Sequence, residues 1–249
     1  MSSTVIECWS KLLNQIESDA NEVQRMAFLG IRHTDVVMRW LENQEAGVQE
    51  TQTGAYYDTL FHIWDLYIKH CGHTFNLNAE LIFVPVNIDD HFACICINFI
   101  SRTIDVLDHQ LYLQFKSSKV FKVSKIISGA MSDYLESRGV SGAEEVAKFR
   151  QRQIKLSWQS PKPNDLESGL FTMMHMLCYE GAPFEHEDLP KKVGRRYLCI
   201  QLAATLVLSD MNKVRAETMD NVKKFIAQKE SLWQVVYARR KVSKILNKK

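Results

Sequence analysis

A histidine, an aspartate and a serine are spaced so that one fold could bring them together. His91 follows the turn-like NIDD and opens an apolar run, and Asp108 ends the next such run seventeen residues later. If these runs form an antiparallel hairpin, its two ends lie side by side and the imidazole can meet the carboxylate. That pair is the base and its orienting partner in a nucleophilic triad.

The third residue, Ser168, opens the apolar segment SGLFTMMHMLC. The periodicity predicts a helix over 168–180, with Gly181 as its C-terminal cap. Backbone N–H groups and the helix dipole at such a start stabilise a thiolate or an oxyanion. Upstream, Gln159 could donate an amide hydrogen bond to an oxyanion. The simpler alternative is that Ser168 is a plain N-cap.

The surrounding elements follow from periodicity. Three short runs rich in β-branched and aromatic residues predict strands: 81–87, 92–99 and 103–108. Helices are predicted on both sides: 1–50, Tyr57–Lys69, 116–155 with a break at Arg138–Gly142, and 194–209. Polar or proline-containing stretches at 43–55 and 158–165 predict loops. Helices, then strands, then helices indicate an α+β domain.

The charge is small overall and unevenly distributed. The formal net charge is +2, yet residues 212–249 hold 11 Lys or Arg against 3 Asp or Glu. This basic arm could contact nucleic acid or a nuclear import factor, or it could be a solvated helical end. The chain shows no signal-peptide pattern and no apolar run of membrane-spanning length, so we expect an intracellular protein of the nucleus or cytoplasm without membrane contact.

Other reactive side chains have competing interpretations. Six scattered cysteines favour reduced thiols. A zinc site formed by three of them and one histidine is conceivable (Cys71, His73, Cys94, Cys96), but Cys71 and His73 lack the usual ligand spacing. We therefore expect neither a metal nor an organic cofactor. His175 lies two turns after Ser168, too far for a general base, and Cys178 is expected in the core.

Three segments together resemble ubiquitin-like-protein proteases, the SUMO protease family. FVPVNIDDHFACICINFISRTIDVLDH is similar to the family's histidine and aspartate block, and PKPNDLESGLFTMMHMLCYEG to its nucleophile block. RRYLCIQLAATLVLSDMN is similar to the helical end of plant members, many of them linked to transposable elements. The resemblance spans about 80–212. It implies a papain-like fold whose sheet is mixed or mostly antiparallel, with a core at 76–212, a divergent helical part at 1–75 and a basic arm at 213–249.

The resemblance also implies an activity. Family members are thiol peptidases that cleave after the C-terminal glycines of a ubiquitin-like modifier. His91 would be the general base and acid, Asp108 would orient it, residue 168 would attack, and Gln159 would help to hold the oxyanion. Three further residues would contact substrate: Phe92, Glu167 and Gly169.

This chain departs from the family pattern at four positions. Ser168 stands in place of the cysteine nucleophile, Glu167 in place of aspartate, and Phe92 in place of tryptophan, while Gln159 lies nine residues before Ser168, further than in the family. The serine is either an engineered substitution that traps substrate or the native residue of a pseudo-protease that binds proteins through the old cleft. Acetyl transfer, which some bacterial effectors perform with a similar His–acid–Cys arrangement, is a further alternative.

Overall fold

The computed structural model describes residues 2–20, 23–47, 53–155, 159, 167–182 and 192–228. The chain divides into two compact units, Met1–Tyr197 and Leu198–Lys249. None of the helices in the described ranges is long and apolar enough to cross a bilayer. The basic residues beyond 228 and nearly all of the predicted loop 158–165 lie outside the described residues.

A five-stranded sheet organises the first unit, in the order β1-β2-β3-β4-β5. The middle pairings are antiparallel, whereas β1 pairs with β2 and β4 with β5 in parallel, so the sheet is mixed. All three strands predicted from the sequence are confirmed within a residue or two. The strands are β1 Met26–Phe28, β2 Leu81–Ile88, β3 His91–Asn98, β4 Thr103–Leu107 and β5 Arg150–Gln153.

Helices precede, interrupt and follow the sheet, which confirms an α+β fold. The α-helices are α1 Ser3–Ala20, α2 Thr34–Glu45, α3 Thr53–Cys71, α4 Lys119–Ser137, α5 Ser168–Cys178 and α6 Lys192–Leu208. Short 3₁₀ turns occupy Gly72–Thr74, Phe115–Ser117 and Ala143–Lys148. In the second unit, residues 215–228 are also helical.

Both faces of the central strands are buried, which explains their nearly continuous apolar sequence. Because side chains alternate along a strand, one face of β3 presents Ile95 and Ile97 to a core shared with α2, α3 and α4. Cys94 and Cys96 point the other way. On that side Phe83 stacks on Phe28 and meets the ring of Tyr179, which follows α5.

The expectation that the first 50 residues are helical is wrong at β1. Asn14 of α1 donates from Nδ2 to the Phe28 carbonyl (2.7 Å) and accepts from the Phe28 N–H (2.9 Å). Glu17 accepts the N–H groups of Arg25 and Met26. Side chains of α1 thus satisfy the outer edge of this three-residue strand. A strand defined by such tertiary contacts leaves no periodicity in the sequence.

The helix predicted up to residue 155 is also wrong at its end, where β5 has the polar sequence RQRQ. Its pairing with β4 supplies the backbone hydrogen bonds, and its side chains find polar partners. Gln151 accepts a hydrogen bond from Ser124 (2.9 Å), and the Arg152 guanidinium donates two hydrogen bonds to the Asp105 carboxylate. An apolar pattern is unnecessary in a strand held in this way.

A buried polar cluster ties three strands to the segment after α5. Asp105 has no exposed surface and accepts hydrogen bonds from Asn98 (3.0 Å), Arg152 and the hydroxyl of Tyr179 (2.6 Å). Asn98 also donates to the carbonyl of Gly181 (2.9 Å). We refer to Asn98, Asp105, Arg152 and Tyr179 as the Asp105 cluster.

Gly181 does not cap α5, which ends at Cys178 with Tyr179 as its C-cap. The φ angle of Gly181 is +89°, a conformation that favours glycine, and a Cβ added at this residue would lie 3.1 Å from Leu81 Cδ2. This glycine instead lets the chain pass close to the sheet at the Asp105 cluster. Within α5, Leu177 is exposed, whereas Ser168, Phe171 and His175 are buried.

Candidate active site

The β3–β4 hairpin brings His91 and Asp108 together. Its register pairs Cys94 with Leu107, so the start of β3 lies beside the residue that follows β4. His91 Nε2 is 2.8 Å from Asp108 Oδ1, and both residues are buried. Two further donors fix the carboxylate: the Gln110 N–H on Oδ1 (2.8 Å) and the Tyr112 hydroxyl on Oδ2 (2.9 Å).

The surroundings of Asp108 keep it ionised. Burial raises the pKa of this carboxyl, but the interactions with the His109 and His91 imidazoles and the hydrogen bond from the Gln110 N–H outweigh burial and leave the pKa well below its usual range. A carboxylate that stays charged at neutral pH can orient an imidazole and stabilise its protonated form.

Stacked rings connect this pair to α5. The ring of His109 stacks with that of His91 (centroids 4.8 Å apart) and with that of Phe171 (4.9 Å). Phe171 lies one turn after Ser168, on the same helix face. The N-terminal turn of α5 therefore faces the His91–Asp108 pair.

Ser168 is the first residue of α5 and only 1% exposed. The N-cap position belongs to Glu167, so Ser168 is not the simple cap that the sequence allows. Its place in the first turn puts it among backbone N–H groups that have no partner within the helix, at the positive end of the dipole. Gly169, the second helical residue, is buried beside it.

The side-chain amide of Gln159 is engaged with the backbone. Nε2 donates to the carbonyls of Asp108 (2.7 Å) and Ile154 (2.9 Å). The residue therefore lies beside Asp108, and its side chain links the segment after β4 to the end of β5. A role in holding an oxyanion stays a prediction and requires Nε2 to release one of these carbonyls.

The remaining sequence candidates occupy different environments. Phe92 is buried in β3 next to His91. The four residues of the conceivable zinc site do not converge: within the described ranges, the only group with metal-ligand spacing is His91, Asp108 and His109. Cys178 is half-buried, and burial, reinforced by the charge of Glu180, raises the pKa of its thiol, which disfavours a thiolate.

Three contributors to this site were not identified from the sequence: the ring of His109, the hydroxyl of Tyr112 and the ring of Phe171. His109 carries a visible signal, since it directly follows Asp108, but its stacking between two rings depends on how α5 packs. The roles of Tyr112 and Phe171 depend on contacts that no spacing rule encodes.

His175, one turn beyond Phe171, is fully buried, and burial lowers its pKa to about 3 against the opposing effect of the Asp108 charge. Between about pH 6.5 and pH 3, His175 is therefore protonated in the unfolded chain and neutral in the folded chain. We expect the free energy of unfolding to fall as the pH drops from about 6.5 towards 3. His175→Gln should make that pH dependence shallower, as measured by urea unfolding between pH 7 and pH 4.

The exposed His62 of α3 provides the matched control, and His62→Gln should leave the slope unchanged. The slope is informative even if His175→Gln lowers stability by a constant amount at every pH. An unchanged slope in His175→Gln would show that this residue does not couple folding to protons.

Three solved structures share the fold of this chain. The SUMO protease Ulp1, with its catalytic cysteine oxidised to a sulfonic acid, superposes with a TM-score of 0.51 at 15% identity, covering 83% of this chain and 77% of that one. The Ulp1 protease domain in complex with Smt3, the yeast ortholog of SUMO, gives 0.50 at 14% identity, covering 83% and 76%. A de-sumoylating protease gives 0.51 at 12% identity, covering 92% and 88%. At these identities, the likeness shows the fold.

Family membership rests on the sequence model. No curated protein sequence matches the chain significantly. The model of the Ulp1 protease family, C-terminal catalytic domain, matches residues 1–229 and so includes the N-terminal helices as well as the sheet. Because this family model spans most of the 249 residues, the chain belongs to the Ulp1 protease family.

Proposed function

We propose that this domain binds a ubiquitin-like modifier of the SUMO type, and that its site is built to cleave after the modifier's C-terminal Gly-Gly. The observation that carries the proposal is the buried His91–Asp108 hydrogen bond, faced by the N-terminal turn of α5. A base oriented by an ionised acid, next to a helix start that stabilises an anion, is suited to acyl transfer.

Each residue has a proposed role in that chemistry. His91 takes the proton of the nucleophile and later gives one to the leaving amine, while Asp108 holds the imidazole in place. Residue 168 attacks the scissile carbonyl, and backbone N–H groups in the first turn of α5 donate hydrogen bonds to the oxyanion, with help from Gln159 if it releases a carbonyl. Phe92, Glu167 and Gly169 are proposed to line the path of the modifier's tail.

Ser168 decides how much activity remains. A serine hydroxyl is a weak nucleophile at its resting pKa, and a site suited to a thiolate–imidazolium pair does not provide the activation that serine needs. We infer that the chain with Ser168 is inactive or nearly so. This residue also favours the second candidate, a pseudo-protease that binds a modifier or another protein through the same cleft in the nucleus or cytoplasm.

Two measurements on one panel of modifiers test the proposal. Calorimetry with the unchanged chain measures whether a mature SUMO-like modifier binds, and an assay on modifier fusions measures whether Ser168→Cys cleaves after Gly-Gly. Binding together with cleavage supports a peptidase site. Binding without cleavage supports the pseudo-protease, and the absence of both contradicts the proposal.

A further inference from the structure

His109 is a buried polar side chain without a hydrogen-bond partner among the described residues. It is 3% exposed, and within the described residues neither ring nitrogen has a partner at hydrogen-bond distance. Nδ1 comes nearest, 3.5 Å from Asp108 Oδ1, which is longer than a good N–H···O bond. Burying an imidazole in this way costs free energy unless another interaction compensates for it.

The same carboxylate oxygen is 2.8 Å from His91 Nε2. One ligand atom from each of His91, Asp108 and His109 therefore falls within a 4.8 Å span. Ligand atoms about 2.0–2.2 Å from a tetrahedral zinc ion lie roughly 3.3 Å from one another, so the two measured separations bracket the spacing that zinc requires. The third separation, between the two histidine nitrogens, is no more than 4.8 Å, so the two rings must approach each other for both to bind one ion.

The ligand types also suit a transition-metal ion. Two imidazoles and one carboxylate form a donor set that Zn²⁺ and its first-row neighbours accept readily. The carboxylate accepts hydrogen bonds from the Gln110 N–H and the Tyr112 hydroxyl. Residues that ligate metals are commonly oriented by hydrogen bonds of this kind. The stack of His109 between His91 and Phe171 restrains the planes of both imidazoles.

We propose that His91, Asp108 and His109 form a binding site for one divalent first-row transition ion, Zn²⁺ in particular. The ion takes one ring nitrogen from each histidine and an oxygen from Asp108, and it replaces the direct His91–Asp108 hydrogen bond. His175 is the other titratable side chain whose electrostatics are linked to Asp108 and His109. Metal binding here is independent of whether residue 168 reacts.

A regulatory consequence rests on the proposed peptidase function. An ion bound to His91 removes the imidazole from acid–base chemistry, because its nitrogen lone pair is then shared with the metal. Zinc would therefore act as a reversible inhibitor of an active Ser168→Cys chain. Metal binding itself is measured on the unchanged chain, so the two proposals can fail separately.

The test is a Co²⁺ titration of the full, metal-stripped chain, followed by visible absorption and by Zn²⁺ competition. We expect one ion per chain. His109→Phe keeps an aromatic ring in the stack but removes both nitrogens, and it should weaken binding by at least about tenfold. His62→Phe, which changes an exposed histidine in the same way, should leave binding unchanged. If His109→Phe does not fold, the near-isosteric Asp108→Asn serves as the second variant and should also weaken binding.

Two results would overturn this inference. Equal Co²⁺ affinity in the parent and in the His109→Phe or Asp108→Asn chain would place the ion elsewhere. An intense near-ultraviolet sulfur-to-cobalt band would show that cysteines hold it, for example the exposed Cys8 or Cys199.

Discussion

The Ser168→Cys chain is expected to cleave a modifier fusion at least about 10³-fold faster than the parent chain, because a thiolate attacks without the activation that a serine hydroxyl needs. The His91 imidazole and the first turn of α5 both favour the ionised thiol. Introducing His91→Ala into the Ser168→Cys chain should lower kcat by about 10²- to 10⁴-fold, the usual contribution of a general base. Initial rates on a fluorogenic modifier substrate measure both changes.

Ser168→Ala is the matched control, since it removes the hydroxyl and should leave the parent's low rate unaltered. The pH–rate profile adds a second check. Asp108 has a pKa well below its usual range, so it stays charged across the working range and should not set the acid limb. A Ser168→Cys chain no faster than Ser168→Ala, on every modifier that binds, would contradict the assignment of residue 168.

The Asp105 cluster should be the most sensitive polar site for stability. Asp105→Ala leaves the guanidinium of Arg152 and the hydroxyl of Tyr179 without the carboxylate that they contact in the interior. Losing one partner of a fully buried charge pair costs about 3–5 kcal/mol. Because the Arg152 side chain is 26% exposed and partly solvated, we expect a smaller loss, about 2–3 kcal/mol, in the free energy of unfolding, measured with urea at pH 7.

An exposed ion pair provides the comparison. Glu80 accepts from Arg25 at 2.7 Å, but both side chains are solvated, so Glu80→Ala should leave the urea midpoint unchanged. The Asp105 cluster also holds the segment that follows α5. Asp105→Ala should therefore shift the position of α5 as well. A loss below about 1 kcal/mol would show that water replaces the missing carboxylate at little cost.

The parts of the fold that sequence predicted best are those whose local pattern and tertiary role agree. Strands β2, β3 and β4 are buried on both faces, so their continuous apolar runs are unambiguous, and the short turn at 99–102 makes a hairpin the simplest connection. The neighbourhood of His91 and Asp108 follows directly from that hairpin. The resemblance then added the residue that no local rule would select, Ser168.

The missed parts depend on partners far along the chain. Asn14 and Glu17 of α1 hydrogen-bond to the backbone at the outer edge of β1 and so stabilise that strand. The contact between Arg152 and Asp105 stabilises β5 in the same way. The stacking of His109 similarly requires α5 to pack against β3. Hydrogen bonds and ring contacts between residues distant in sequence leave no periodic signal for a sequence pattern to detect.

The most direct test of the central claim, that residue 168 occupies the nucleophile position of a modifier peptidase, is peptide mapping of a covalent adduct. The Ser168→Cys chain is incubated with a SUMO-like modifier that carries a C-terminal electrophile, digested, and analysed by mass spectrometry. The account predicts a single modified peptide, linked at position 168, and no adduct in the parent chain or after His91→Ala. Modification at Cys178 or another native cysteine, with none at position 168, would contradict it.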